Sequence, residues 1–239
     1  MPVTTRGKII DTPGKVISKA APSATPSRAA SRGRNSKKIT STDVLLFYPN
    51  LIGYVRVVSM ILSFYYAAKS WQTTLVCYLI AFGGDVIDGY VARKFEQSSK
   101  FGGILDMVTD RVSTCGFLVI LSHLYPTYTF AIVMLIVLDI TSHWFHVMSV
   151  SAHHKSEKAL ENRNVFLKWY YGIYPLFGYC CVGTEIFYVL LYAIHFYPNP
   201  VLSKLCFYGC FPACVLKQIV NVVQMTSAAV ALAAQDASN

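Results

Sequence analysis

Two apolar runs meet across the stretch Asp85-Val86-Ile87-Asp88-Gly89-Tyr90-Val91-Ala92-Arg93, which leads through a short polar connection to Gly102-Gly103-Ile104-Leu105-Asp106-Met107-Val108-Thr109-Asp110. The first run reaches back to Thr73 and the second forward to Leu124, so each has the roughly 20 residues needed to cross a hydrocarbon layer. Asp85 and Asp88 stand at i and i+3, Asp106 and Asp110 at i and i+4, which puts each pair on one helix face. An ionised side chain in mid-span costs about 2.5–3.5 kcal/mol on insertion scales. Four such residues at matched depth on consecutive segments therefore point to a site rather than to surface polarity.

Working outward, 54% hydrophobic residues, 14% charged residues and a mean hydropathy of +0.43 over 239 residues exclude a soluble globular domain. The pattern predicts an all-α integral membrane protein with six transmembrane helices, near Val44 to Ala68, Thr73 to Phe95, Phe101 to Leu124, Tyr128 to Ser151, Tyr171 to Phe196 and Lys204 to Ala234. Ahead of them, residues 1–42 form a tail with nine Lys or Arg against Asp11 alone, carrying almost the whole +9 of the chain. The tail is too poor in apolar residues to fold, and residues 43–239 form the membrane domain. It reads as a basic cytosolic arm near anionic lipid; its Arg and Ser content also suits a transit peptide. Because the charge belongs to the tail, no nucleic-acid partner is implied. Seven cysteines, odd in number and mostly inside apolar runs, argue against a disulfide framework.

Basic residues set the orientation. The tail, Arg93/Lys94/Lys100 and Lys155/Lys158/Arg163/Lys168 fall on one side, which the positive-inside rule makes cytosolic together with both termini and the four aspartates.

Four convergent carboxylates repel one another unless a hard cation offsets them, and Mg²⁺ is commonly held by a few carboxylates together with substrate phosphate oxygens. With only the short Gln97–Lys100 connection between them, the two helices are expected to be antiparallel neighbours. Gly89, Ala92 and Gly102 leave room for a ligand against the backbone, and Arg93 offers a cation at the rim.

The pattern Asp85-x2-Asp88-Gly89-x2-Ala92-Arg93-x8-Gly102-x3-Asp106-x3-Asp110 resembles the complete signature of the CDP-alcohol phosphatidyltransferase family, at every fixed position. The resemblance implies a membrane enzyme in which Asp85, Asp88 and Asp106 ligate Mg²⁺ or Mn²⁺ that holds a CDP diphosphate. It makes Asp110 a further metal contact and the general base on the acceptor hydroxyl, with Gly89, Ala92 and Arg93 lining the nucleotide site.

Four further stretches resemble the branch of that family whose substrates are CDP-diacylglycerol and myo-inositol. They are Tyr48-Pro49-Asn50-Leu51-Ile52-Gly53-Tyr54-Val55-Arg56, Leu105-Asp106-Met107-Val108-Thr109-Asp110-Arg111, Asp139-Ile140-Thr141-Ser142-His143-Trp144-Phe145-His146 and Gly183-Thr184-Glu185-Ile186-Phe187-Tyr188. Gly53 stands where many relatives carry Thr. The branch resemblance implies phosphatidylinositol and CMP as products, and a homodimer in the endoplasmic reticulum membrane. Other acceptors, namely glycerol 3-phosphate, serine or an aminoalcohol, stay open within the family, and a divalent-cation transporter outside it.

Polar residues elsewhere in the spans admit two readings each. Asn50 and Arg56 suit nucleotide or diphosphate contact, or snorkelling to the interface. Arg111 and Lys217 suit acceptor binding, or neutralisation of an acid. His143 suits the inositol site, while its spacing from Asp139 favours an Asp-His strut between helices. Glu185 is equally open. Cys206, Cys210 and Cys214 trace one helix face and read as packing; Trp71, Trp169, Tyr170 and Tyr197 read as interfacial anchors.

Overall fold

The computed structural model describes residues 40–153, 167, 170 and 172–237. The basic tail up to residue 39, the connection carrying Lys155, Lys158, Arg163 and Lys168, and Trp169 lie outside the described residues. Those described are almost entirely helical, with no strand among them.

A short α1 (Ser41–Leu45) opens on a capping box between Thr40 and Asp43. It stops just before α2 (Tyr48–Tyr66), which carries Pro49 in its first turn. The run expected to be one helix from Val44 to Ala68 is thus two. Proline lacks an N–H and restrains the residue before it, so the chain restarts there. Ser70 caps α3 (Trp71–Lys94) and Ser99 caps α4 (Lys100–Leu124), each side chain accepting from the N–H three residues on. The α3–α4 connection contains Glu96 at a φ of 54°. A single 3₁₀ turn (Pro126–Tyr128) leads into α5 (Thr129–His153), and α6 runs from Tyr174 to Phe196. The last helix starts earlier than the apolar run suggested. Asn199 caps α7 (Pro200–Lys204), which passes through a π-helical stretch at Leu205–Cys210 into α8 (Phe211–Asp236).

Among the described residues, four segments are long and apolar enough to cross a membrane: Trp71–Lys94, Pro126–Ser149, Pro175–Phe196 and Pro200–Asp236. Helices α2 and α4 have 19 and 25 residues but fall short in apolarity, because α2 holds Asn50 and Arg56 while α4 holds Asp106, Asp110 and Arg111.

The chain is arranged with its polar side chains inward. Arg56 is 2% exposed and Asn50 1%, whereas Val58 on the same helix is 57% exposed. Lipid-facing Val, Ile and Leu residues on α2, α3 and α5 continue that apolar exterior, as a multi-pass membrane protein requires. At one end an aromatic and aliphatic core joins Tyr78, Phe117, Leu121, Tyr188 and Tyr192 to Cys206, Cys210 and Cys214, so the cysteine face is packing, as expected. Tyr170, read above as an interfacial anchor, is instead buried with Cys180 and Val220.

The two aspartate helices are not close partners. Helix α2 packs along α3 and also against α4, and direct α3–α4 packing is slight. The approach of α2 to α4 depends on Gly116: a Cβ there would lie 2.3 Å from the Phe64 ring. Helices α5, α6 and α8 complete the opposite wall.

Candidate active site

Helix α3 delivers Asp85 and Asp88, and α4 delivers Asp106 and Asp110, as their spacing predicts. Ligand oxygens of Asp85, Asp88 and Asp106 lie within 4.8 Å of one another. At that separation two unit charges repel by about 3–4 kcal/mol at an effective dielectric of 20. The cluster therefore needs a counter-charge, and α2 supplies one.

Arg56 inserts its guanidinium among all four carboxylates. Its Nη1 donates to Asp88 Oδ2 and Asp106 Oδ1, both at 2.6 Å, and its Nη2 donates to Asp110 Oδ1 and lies 3.5 Å from Asp85 Oδ1. The Nε–H donates to the Ala81 carbonyl at 3.0 Å. A slot at Gly84 admits the stem, since a Cβ there would lie 2.6 Å from Arg56 Cγ. The planar fork thus spans α3 and α4 where their own packing is thin, and its placement is more central than a diphosphate contact or a snorkel.

One guanidinium cannot balance four carboxylates. Asp85 and Asp106 remain 38% and 42% exposed at their side chains, as oxygen donors with charge to spare. The donor set is hard, anionic and all oxygen, which fits a divalent cation of the Mg²⁺ or Mn²⁺ kind.

Two cavities flank the cluster. The smaller, about 190 Å³, is lined by Asp88 and Asp106 together with Asn50, Gly89, Ala92 and Gly102. Asn50 donates to the Val44 carbonyl at 2.5 Å, and its Oδ1 would be 2.8 Å from a Cβ at Gly102. Arg93 is exposed and lies over Gly89 rather than in the cleft wall.

The larger cavity, about 540 Å³, is lined by Arg56, Asp85, Asp106 and Asp110 and also by Arg111, His143 and Lys217. That volume lies within the about 300–1,000 Å³ usual for ligand sites. Asp106 lines both spaces and so marks their junction.

Arg111 bonds Asp139 of α5 through Nη1 at 2.7 and 2.9 Å and lies 3.7 Å from Asp110 Oδ2. The Asp139–His143 pair meets within α5 rather than between helices: His143 Nδ1 is 2.8 Å from the backbone carbonyl of Asp139 and 3.5 Å from its Oδ1, and the interhelical link is made by the Asp139 carboxylate to Arg111 of α4. A residue pair at i and i+4 meets within one helix, so the interhelical partner had to come from elsewhere.

Sequence reasoning left several lining residues unassigned. Glu185 accepts from Thr114 and Tyr78, each at 2.8 Å. Gln218 and Gln224 also line the larger cavity, and Gln97 lines the smaller one while accepting from the Tyr48 N–H at 2.9 Å. An acid within an apolar run was the available signal for Glu185; the glutamines carried none.

The sequence model of the CDP-alcohol phosphatidyltransferase family matches residues 46–233, which takes in both cavities, helices α2 to α7 and nearly all of α8. The chain belongs to this phosphatidyltransferase family. It is 36% identical over 214 residues to the CDP-diacylglycerol--inositol 3-phosphatidyltransferase of Candida albicans, covering 89% of this chain and 93% of that one. The human enzyme of the same name is 38% identical over 204 residues, covering 82% and 96%, and that of Saccharomyces cerevisiae 39% over 210 residues, covering 85% and 93%. No solved structure matches this transferase.

Proposed function

We propose that the chain transfers a phosphatidyl group from CDP-diacylglycerol to myo-inositol, giving phosphatidylinositol and CMP. Similarity over most of the chain to enzymes named for that reaction carries the reading, and the paired cavities meeting at Asp106 give it a physical form.

Asp85, Asp88 and Asp106 hold the divalent ion, Mg²⁺ or Mn²⁺, with Asp110 as a further contact. The ion supplies charge neutralisation on the diphosphate, which makes CMP a good leaving group. The smaller cleft takes the CDP portion, with Gly89, Ala92 and Gly102 keeping its wall low and Asn50 offering a polar contact, while Arg93, outside the wall and over Gly89, reaches a phosphate oxygen of the bound diphosphate. Arg56 organises the carboxylates. Inositol occupies the larger cavity beside Arg111, His143 and Lys217.

Asp110 opens into that cavity and accepts the proton of the attacking hydroxyl. The hydroxyl oxygen bonds to the lipid-side phosphorus, and the bond from this phosphorus to the bridging oxygen breaks. CMP leaves with the electron pair. Arg56 and Arg111, both beside Asp110, fix the direction of its carboxylate.

Helices α2 and α4 complete six spans, since burying Arg56 against the aspartates removes the charges that make those helices poor spans alone. Both termini face the cytosol, the membrane is that of the endoplasmic reticulum, and the enzyme is a homodimer. Residues 1–42 form the basic cytosolic arm and residues 43–239 the transferase domain.

The deciding experiment supplies the purified protein with CDP-diacylglycerol, Mn²⁺ or Mg²⁺ and a panel of labelled alcohols. Incorporation of inositol with release of CMP is expected. Turnover of glycerol 3-phosphate or serine without inositol incorporation would move the chain to another branch of its family.

A further inference from the structure

The larger cavity extends past Asp110 to a second carboxylate held in an unusual way. Glu185 of α6 accepts from the Thr114 hydroxyl at Oε1 and from the Tyr78 hydroxyl at Oε2, each at 2.8 Å. Thr114 also lies 3.0 Å from the Asp110 carbonyl, but a hydroxyl has one proton and the carboxylate is the stronger acceptor. Tyr78 is 2% exposed and is stacked on Phe117 with ring centroids 4.1 Å apart, so the donor on that side is rigid. Three helices, α3, α4 and α6, therefore fix the orientation of a single carboxylate.

Two hydrogen bonds fill about half of the four or so acceptor positions of an ionised carboxylate. Glu185 is only partly buried and belongs to the cavity wall, so unused acceptor positions face the cavity. Among the described residues no cation lies within 4.0 Å of it, in contrast to Asp139, which Arg111 neutralises. Thr114 stands one turn along α4 from Asp110, about 6 Å by helix rise, a distance that a six-membered ring spans.

We propose that Glu185 is the residue that selects the acceptor: it takes hydrogen bonds from ring hydroxyls remote from the attacking one and turns away alcohols bearing a phosphate or carboxylate. The proposal rests on the inositol reading above and deepens it. An acceptor-only group in a confined space suits a polyol, which presents hydroxyl donors around its circumference. The same negative charge repels glycerol 3-phosphate and the carboxylate of serine, so one side chain supplies both the attraction and the exclusion. Tyr78 and Thr114 are positioning residues that hold the carboxylate toward the ring.

The test compares full-length wild-type enzyme and Glu185→Gln, with Mn²⁺ and CDP-diacylglycerol, across myo-inositol, its monodeoxy analogues and glycerol 3-phosphate. Hydrogen bonds to a charged group are worth roughly 10–100-fold, so KM for inositol should rise by that factor while KM for CDP-diacylglycerol stays within about 2-fold. At least one monodeoxy analogue that the wild type discriminates against by ~10-fold or more should lose its handicap in the variant. Equal discrimination against every analogue in both enzymes would overturn the proposal, leaving Glu185 as a strut. If the Gln variant does not survive purification, a wild type that treats all monodeoxy analogues alike, or uses glycerol 3-phosphate as readily as inositol, overturns it equally. A wild type that incorporates no inositol instead overturns the underlying functional reading.

Discussion

Replacing Gly84 by alanine tests whether Arg56 is held in place by fit. The new Cβ would lie 2.6 Å from Arg56 Cγ, 3.0 Å from Cδ and 3.8 Å from Nε. Carbon atoms prefer about 3.5–4.0 Å, so the stem must retreat by roughly 1 Å. The 2.6 Å bonds from Nη1 to Asp88 and Asp106 would then stretch beyond the useful range of about 3.2 Å unless the carboxylates followed. Overpacking alone costs about 1–3 kcal/mol, and loss of a buried ion pair about 3–5 kcal/mol. At about 2–4 °C per kcal/mol for a domain of this size, the melting temperature in detergent should fall by about 3 °C or more, and turnover should fall with it. The adjacent Gly83 provides the control, because a Cβ there meets nothing within 4 Å. Gly83→Ala should be neutral or slightly stabilising through helix propensity. If Gly84→Ala melted and turned over like Gly83→Ala, the claim that Arg56 is locked by its slot would be wrong.

Further predictions concern the two cavities and the membrane. Asp106→Asn should weaken divalent-ion binding and CDP-lipid binding together, because Asp106 lines both spaces; unchanged CDP-lipid affinity would contradict that placement. Asp110→Asn should lower the single-turnover rate by ~10²-fold or more with a smaller effect on CDP-lipid affinity, and a wild-type rate would eliminate it as the base. Gly102→Ala should raise KM for CDP-diacylglycerol but not for inositol, as its Cβ would press on Asn50 Oδ1 at 2.8 Å; equal effects on both would count against separate sites. In sealed microsomes a cysteine placed at residue 160 should react from the cytosolic side, and protection there would reverse the orientation.

The aspartates were legible because their spacing and their cost in an apolar run are both written locally. Helix content was legible for the same reason, and so was the burial of the Cys206/Cys210/Cys214 face. Arg56 reads from sequence as a nucleotide or diphosphate contact or a snorkel, and its place among the aspartates is not legible there, since its carboxylate partners are 29 to 54 residues away and its slot at Gly84 is a property of packing. The break before Tyr48 was signalled by Pro49 but was outweighed by continuous hydropathy. Asp139 illustrates a different limit: its i,i+4 neighbour His143 is conspicuous in sequence, yet the carboxylate is claimed by Arg111 across a helix interface. The roles of Gln97, Gln218 and Gln224 follow from shape alone.

The polarity that builds the centre also bears on how the chain enters a bilayer. Each Asp or Arg adds about 2.5–3.5 kcal/mol to the insertion of an isolated helix at mid-membrane, so α2 and α4 are poor candidates for independent insertion. Arg56 and the aspartates offset one another only once α2, α3 and α4 have all been synthesised. Biogenesis should therefore require α2 to wait at the translocon, or at the interface, until its acidic partners emerge. Glycosylation mapping of chains truncated after α2, α3 and α4 should show α2 committing to the membrane only in the longest; full insertion of α2 in the shortest would argue that its apolar stretch from Val57 to Phe64 suffices without them.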